Sequence, residues 1–228
     1  MVWNKENNMI CEEYRSIKPK DLFDNYIEYM VDMLVLCNAD TREHIWYVAK
    51  YTRILVDTYA RLYPRSRMTA EKRYNIVQAS KIKDIGKLAI PDVLLDKAGE
   101  MSATEMSYYQ KHTIKGSQMI RGISGKIGHE YERICYNICL YHHENYDGSG
   151  YPYGLKEQKV PIEALFVGLA DIYDALVNYK GRRESYTHEE AIFLILDGKC
   201  GKLSPKLREC ILEARDELEA VKYNGKNI

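Results

Sequence analysis

The stretch Thr41-Arg-Glu-His44-Ile45-Trp-Tyr-Val48-Ala-Lys-Tyr-Thr52-Arg-Ile-Leu55-Val56-Asp-Thr-Tyr59-Ala-Arg-Leu-Tyr63 decides the class of fold. Ile45, Val48, Thr52, Leu55, Val56 and Tyr59 recur at intervals of three and four, the period of a helix with one apolar face. The spacing predicts a helix over about 41–63, with Asp40 as its cap and Asp40 and Glu43 at capping-box spacing. His44 shares the stripe with Val48 and Leu55, so it faces the core. A single core-facing histidine is ordinarily a hydrogen-bonded structural residue. It becomes a candidate ligand only if other donors arrive from other helices.

Outward from this helix the same period continues. Phe23, Tyr26, Ile27, Met30, Val31 and Leu34 predict a helix over about 21–37, and a further helix is expected over about 70–83. Ser102 to Glu105 and Thr187 to Glu190 have capping-box form, while Pro161 and Pro205 suit first helical positions. Asn145-Tyr-Asp-Gly-Ser-Gly-Tyr-Pro-Tyr-Gly154 breaks the pattern and is a loop. No alternating apolar run of strand length, internal repeat or low-complexity linker stands out. The expected fold is all-α: one helical domain over 38–222, a helical lead-in over 1–37 and a tail over 223–228.

Bulk properties narrow the classes of function. Among 228 residues, 33 are Lys or Arg and 33 are Asp or Glu, so the formal net charge is zero. A neutral chain gives no support for binding nucleic-acid polymers or anionic membranes, though a local basic cluster can hold one phosphate-bearing ligand. No run approaches the length of a membrane span, and the first residues lack an apolar signal segment, so a cytoplasmic protein is expected. The six cysteines form no Cys-x-x-Cys pair and are expected to be buried free thiols.

The histidines sort by their neighbours. His129 and His188 lie among glutamates in first turns that look exposed, which favours a solvated role. His142-His143-Glu144 ends a strongly apolar helix and runs into the glycine-rich loop. Adjacent residues point about 100° apart on a regular helix, so both imidazoles reach one ion only where a helix ends. Asp171 and Asp174 follow the apolar run Leu165-Phe-Val-Gly-Leu-Ala170, one turn apart on one face. Buried carboxylates are costly unless paired or metal-bound. Imidazole and carboxylate donors together suit iron, manganese, zinc or nickel better than calcium or magnesium. Such ions supply hydroxide near neutral pH and offset charge at phosphorus, and a bridging Asp would hold two of them about 4 Å apart.

Several runs together resemble the HD-GYP family, within the HD superfamily. They are Asp84-Ile-Gly-Lys87-Leu-Ala-Ile-Pro-Asp-Val-Leu-Leu, Lys111-His112-Thr-Ile-Lys-Gly116, the loop from His142 through Gly150-Tyr151-Pro152, and Ala170-Asp171-Ile-Tyr-Asp174-Ala-Leu. The likeness covers about 44–191. It implies an HD-superfamily helical bundle extended by the HD-GYP helices and the Gly-Tyr-Pro loop. It also implies a bacterial, metal-dependent hydrolase of the second messenger cyclic di-GMP. By resemblance, His44, position 83, Asp84 and Asp171 would hold one metal, and Asp84, His112, His142 and His143 a second. Asp84 and Lys87 would serve catalysis, with Lys87 on the scissile phosphate. Lys180 and Arg183 would bind ligand, and Gly150, Tyr151 and Pro152 would shape the site wall and meet a signalling-protein partner.

One departure matters. The family's His-Asp doublet reads Lys83-Asp84 here. An ammonium about 4 Å from a dication costs on the order of 8 kcal/mol at an effective dielectric near 20, so the first metal position is opposed. The ligand set predicts one iron or manganese ion, with zinc or nickel as substitutes, at Asp84, His112, His142 and His143. Lys83 could replace the missing cation by pairing with Asp84 and Asp171. The expected activity is therefore reduced, and the alternative is a degenerate domain acting as a cyclic di-GMP receptor or protein-interaction module. Leu165 also stands where the family usually has Arg, and Lys180 where Arg is commoner.

Overall fold

Among the described residues ten α-helices follow one another: α1 (Pro19–Leu36), α2 (Arg42–Leu62), α3 (Ala70–Ser80), α4 (Asp92–Leu95), α5 (Ala103–Tyr109), α6 (His112–Gly122), α7 (His129–Tyr141), α8 (Ile162–Val177), α9 (His188–Leu196) and α10 (Pro205–Asn224). They belong to a computed structural model that describes residues 19–97, 101–123, 125, 128–178 and 185–224. Short 3-10 turns lie at Pro64–Ser66, Ile85–Ala89 and Glu157–Lys159, and no strand occurs among the described residues. The all-α expectation holds. Among the described residues no helix is long and apolar enough to cross a membrane.

Helix α2 is the strut of the bundle, because α3, α8 and α10 all pack on it. Its stripe supplies Ile45, Val48, Thr52, Leu55, Val56 and Tyr59, all buried. Aromatic edges lock α2 to α8: Tyr51 meets Tyr173 with ring centroids 4.8 Å apart, and Tyr59 meets Phe166 at 5.1 Å. Helix α7 packs on α3, α6 and α8. The lead-in helix α1 buries Phe23, Ile27, Val31 and Leu34 in the same core rather than standing apart.

Several local expectations are corrected. The cap of α2 is Thr41, whose hydroxyl accepts from His44 N at 3.2 Å; Asp40 instead accepts from Thr41 N at 2.7 Å, so the Asp40–Glu43 pair is not the capping box. Helix α3 stops at Ser80 rather than 83, and the chain continues through i→i+3 turns such as Ile85 N to Ile82 O at 3.0 Å. Pro161 caps α8 one residue before its first turn, while Pro205 does open α10. Both expected capping boxes, Ser102 with Glu105 and Thr187 with Glu190, form. Cys135, Cys139 and Cys210 are buried free thiols, but Cys37 is exposed and Cys200 is partly so. Cys11 lies outside the described residues.

Candidate metal centre

Five segments bring the chemistry together. His44 comes from the first turn of α2, and Lys83, Asp84 and Lys87 from the turn after α3. His112 opens α6, His142 and His143 follow the end of α7, and Asp171 and Asp174 lie on α8. Glycines let these segments touch. A Cβ on Gly86 would sit 1.9 Å from His112 O, and one on Gly168 would sit 2.3 Å from His142 O. Backbone therefore meets backbone where the donors converge.

One half of the cluster is open. Asp84 Oδ1 lies 3.3 Å from His112 Nε2 and 3.6 Å from His142 Nε2. These three atoms are buried without a hydrogen-bond partner. With His143, each residue offers a ligand atom within 4.8 Å of the others. Backbone carbonyls aim the rings: His112 Nδ1 donates to Tyr109 O at 2.8 Å and His142 Nδ1 to Ile138 O at 2.8 Å, which turns both Nε2 lone pairs inward. Burial pushes the His112 pKa down to about 4, and burial together with the neighbouring His142 holds His143 well below its ordinary value. Both rings are thus neutral, the form that coordinates metal.

The other half is closed. Lys83 Nζ pairs with Asp84 Oδ2 and lies 2.9 Å from Asp171 Oδ1. His44 bridges the same region, Nε2 being 3.1 Å from Asp171 Oδ1 and Nδ1 2.6 Å from Asp174 Oδ2. Burial alone would lower the Lys83 pKa, but the Asp171 and Asp84 carboxylates outweigh it and hold the ammonium well above its ordinary value. Burial and Lys83 likewise press the His44 pKa down, yet Asp171 and Asp174 raise it to about 10. Against their own burial, Asp84 and Asp171 are held well below the usual carboxylate range, chiefly by Lys83. Lys87 Nζ stands 3.0 Å from Asp84 Oδ2, at the border of the two halves.

The glycine-rich loop closes the wall beside the open half. Tyr151 stacks on His143 with centroids 4.6 Å apart. Gly150 admits this fold-back, because a Cβ there would lie 2.3 Å from His143 O. Glu144 anchors the loop from beneath, accepting from Tyr153 N at 2.7 Å and Leu155 N at 2.9 Å. Only its place directly after the two histidines signals this anchoring role in the sequence. Asp40, expected as the cap of α2, joins His44 and Asp84 in a second group of potential donors within 4.8 Å. His188 was expected to be solvated, but it is buried and its Nδ1 lies 2.8 Å from Tyr173 Oη, while His129 is exposed. Lys180 and Arg183 lie outside the described residues.

The donor set of the open half fits a divalent metal ion. Three buried ligand atoms without a hydrogen-bond partner, two of them imidazole nitrogens, are a donor set that a divalent cation would satisfy. In the closed half the carboxylate oxygens face Lys83 and His44.

Comparison with known proteins agrees with this architecture. A family model described as HD domain matches residues 39–206. The chain is 32% identical over 153 residues to the cyclic di-GMP phosphodiesterase response regulator RpfG of Xanthomonas campestris, covering 67% of this chain and 39% of that protein. It is 31% identical over 206 residues to 3'3'-cGAMP-specific phosphodiesterase 2 of Vibrio cholerae, covering 89% and 37%. It is 30% identical over 203 residues to a cyclic di-GMP phosphodiesterase of Thermotoga maritima, covering 89% and 54%. The chain thus spans roughly two fifths to one half of the length of these relatives. Among solved structures, Bd1817, an HDG"Y"P protein from Bdellovibrio bacteriovorus, shares the fold with a TM-score of 0.57 at 19% identity, covering 90% of this chain and 62% of that one. The match over residues 39–206, about three quarters of the sequence, makes this chain a member of the HD domain family.

Proposed function

We propose that the chain hydrolyses cyclic di-GMP with one divalent ion, iron or manganese first, held by Asp84, His112, His142 and His143. The observation that carries this reading is the convergence of Asp84 Oδ1, His112 Nε2 and His142 Nε2, buried and unpartnered, beside the Lys87 ammonium. A bound ion would supply Lewis-acid stabilisation of a phosphoryl oxygen and ready access to hydroxide. The chain's own residues do the rest. Lys87, fixed by Asp84 Oδ2, donates to a non-bridging phosphate oxygen and offsets the charge that builds there. Tyr151, stacked on His143, excludes water from one side of the site. Lys180 and Arg183 would hold the rest of the ligand, and the exposed Tyr153 offers a signalling partner a contact on the loop. On this reading the chain works in the cytoplasm, the compartment of that messenger.

The test is anaerobic reconstitution of the purified chain with ferrous or manganese ion, with metal counted and products separated after incubation with cyclic di-GMP and, in parallel, 3'3'-cGAMP. Slow conversion of cyclic di-GMP to a linear product is expected. His112→Ala should remove most bound metal and lower turnover about a hundredfold or more. One specific observation favours a second reading: the Lys83 ammonium between Asp84 and Asp171 fills a place where the family holds metal. A chain that carries one ion and binds the nucleotide tightly without turnover is a receptor, and that outcome replaces the enzymatic reading.

A further inference from the structure

We infer that the Lys83 ammonium is a built-in cation, a covalently attached replacement for one metal ion, which limits the chain to a single exchangeable ion. The inference rests on the reading of Asp84, His112, His142 and His143 as a one-ion site. Its geometry lies in how Asp84 divides its two oxygens. Oδ2 pairs with Lys83 and stands 3.0 Å from Lys87, while Oδ1 is left without a partner toward His112 and His142. A bridging carboxylate between two metals divides its oxygens in the same way, one toward each cation.

The surroundings of Lys83 are those of a cation site. Asp171 Oδ1 lies 2.9 Å from its Nζ and is also 3.1 Å from His44 Nε2, and Asp40, His44 and Asp84 offer donor atoms within 4.8 Å of one another. Lys83 is only 3% exposed, so its ammonium sits in the protein interior against these carboxylates rather than in bulk water. A flexible four-carbon stem delivers a compact point charge with three donors, which suits several separate oxygens better than a planar guanidinium would. A dication and this ammonium would need the same oxygens of Asp84 and Asp171. Only one can be there.

The experiment counts ions on the full chain. Protein stripped with chelator and reloaded with excess manganese is assayed for ions per chain by mass spectrometry, and the spin state is read by electron paramagnetic resonance. The wild type is expected to hold one ion with the spectrum of an isolated manganese. Lys83→His is expected to hold two, with the altered spectrum of an exchange-coupled pair. Lys83→Ala, which vacates the space without adding a ligand, should also rise above one ion, and Lys83→Arg should stay at one. Two ions in the wild type, or one in both Lys83→His and Lys83→Ala, overturns the built-in cation. No ion in the wild type overturns the one-ion site itself, and with it the inference. Should Lys83→His fail to fold, the Lys83→Ala count decides.

Discussion

His44 shows how far a residue's chemistry depends on its partners. It is gripped at both nitrogens by Asp171 and Asp174, and its pKa rises from 6.5 to about 10 in the metal-free chain. Because the folded value exceeds the unfolded one, His44 adds stability that is complete below pH 6.5 and is lost as pH climbs through about 10. In chelator, the melting temperature of the wild type should exceed that of His44→Gln most near pH 6, and the gap should close above about pH 10. A gap that does not change with pH would mean that His44 is neutral in the fold. His112 behaves in the opposite sense. Its folded pKa of about 4 lies below the ordinary 6.5, so the unfolded chain takes up the proton first and stability falls as pH drops through that interval. The two histidines thus work as different species, although the sequence shows both only as imidazoles on helices.

At the scale of elements, the centre depends on helices meeting without side chains between them. Gly168 of α8 faces the carbonyl of His142 at the end of α7, and an added Cβ would stand 2.3 Å from that oxygen. Gly168→Ala is expected to cost about 1–3 kcal/mol in chemical denaturation, as overpacking of a tight contact does. It should also weaken metal binding, because His142 must move with its backbone. Gly122→Ala is the control: nothing lies within 4 Å of the added methyl in α6. That change should be neutral or stabilise by up to about 1 kcal/mol, the helix preference for Ala over Gly. Equal losses at both positions would show that close approach is not the reason for Gly168. The Glu144 anchor belongs to the same scale, since two backbone amides of the loop depend on one buried carboxylate.

For the whole molecule, ion binding and folding are linked. Donors from α6, α7 and the turn after α3 come together only in the folded bundle, so an ion bound there stabilises all of it. At a hundredfold excess over Kd the gain is about 2.7 kcal/mol. For a chain of this size that corresponds to a rise of about 5–10 °C in Tm. Calorimetry with manganese and with chelator measures it, and His142→Ala should lose most of the shift while its metal-free Tm changes less. An equal shift in that variant would place the bound ion elsewhere. Lys83 tempers the effect, because its ammonium already neutralises part of the buried charge when no ion is bound.

The all-α class, the run of helices and loop, and most of the candidate donors are legible in the chain alone. These are written in short-range patterns: a period of three and four residues, capping boxes, two histidines ahead of a glycine-rich turn. The sequence alone does not determine how the donors divide. His44 and Asp171 form one closed ionic group with Lys83, while Asp84 turns one oxygen toward each half, and that partition is set by five segments far apart in the chain. His188 was misread for a related reason: its neighbours Glu189 and Glu190 are polar, but the partner that buries it, Tyr173, comes from another helix. Local pattern records which residue types a segment carries. Burial and charge pairing depend on what other segments bring beside it, and only the packed bundle decides that.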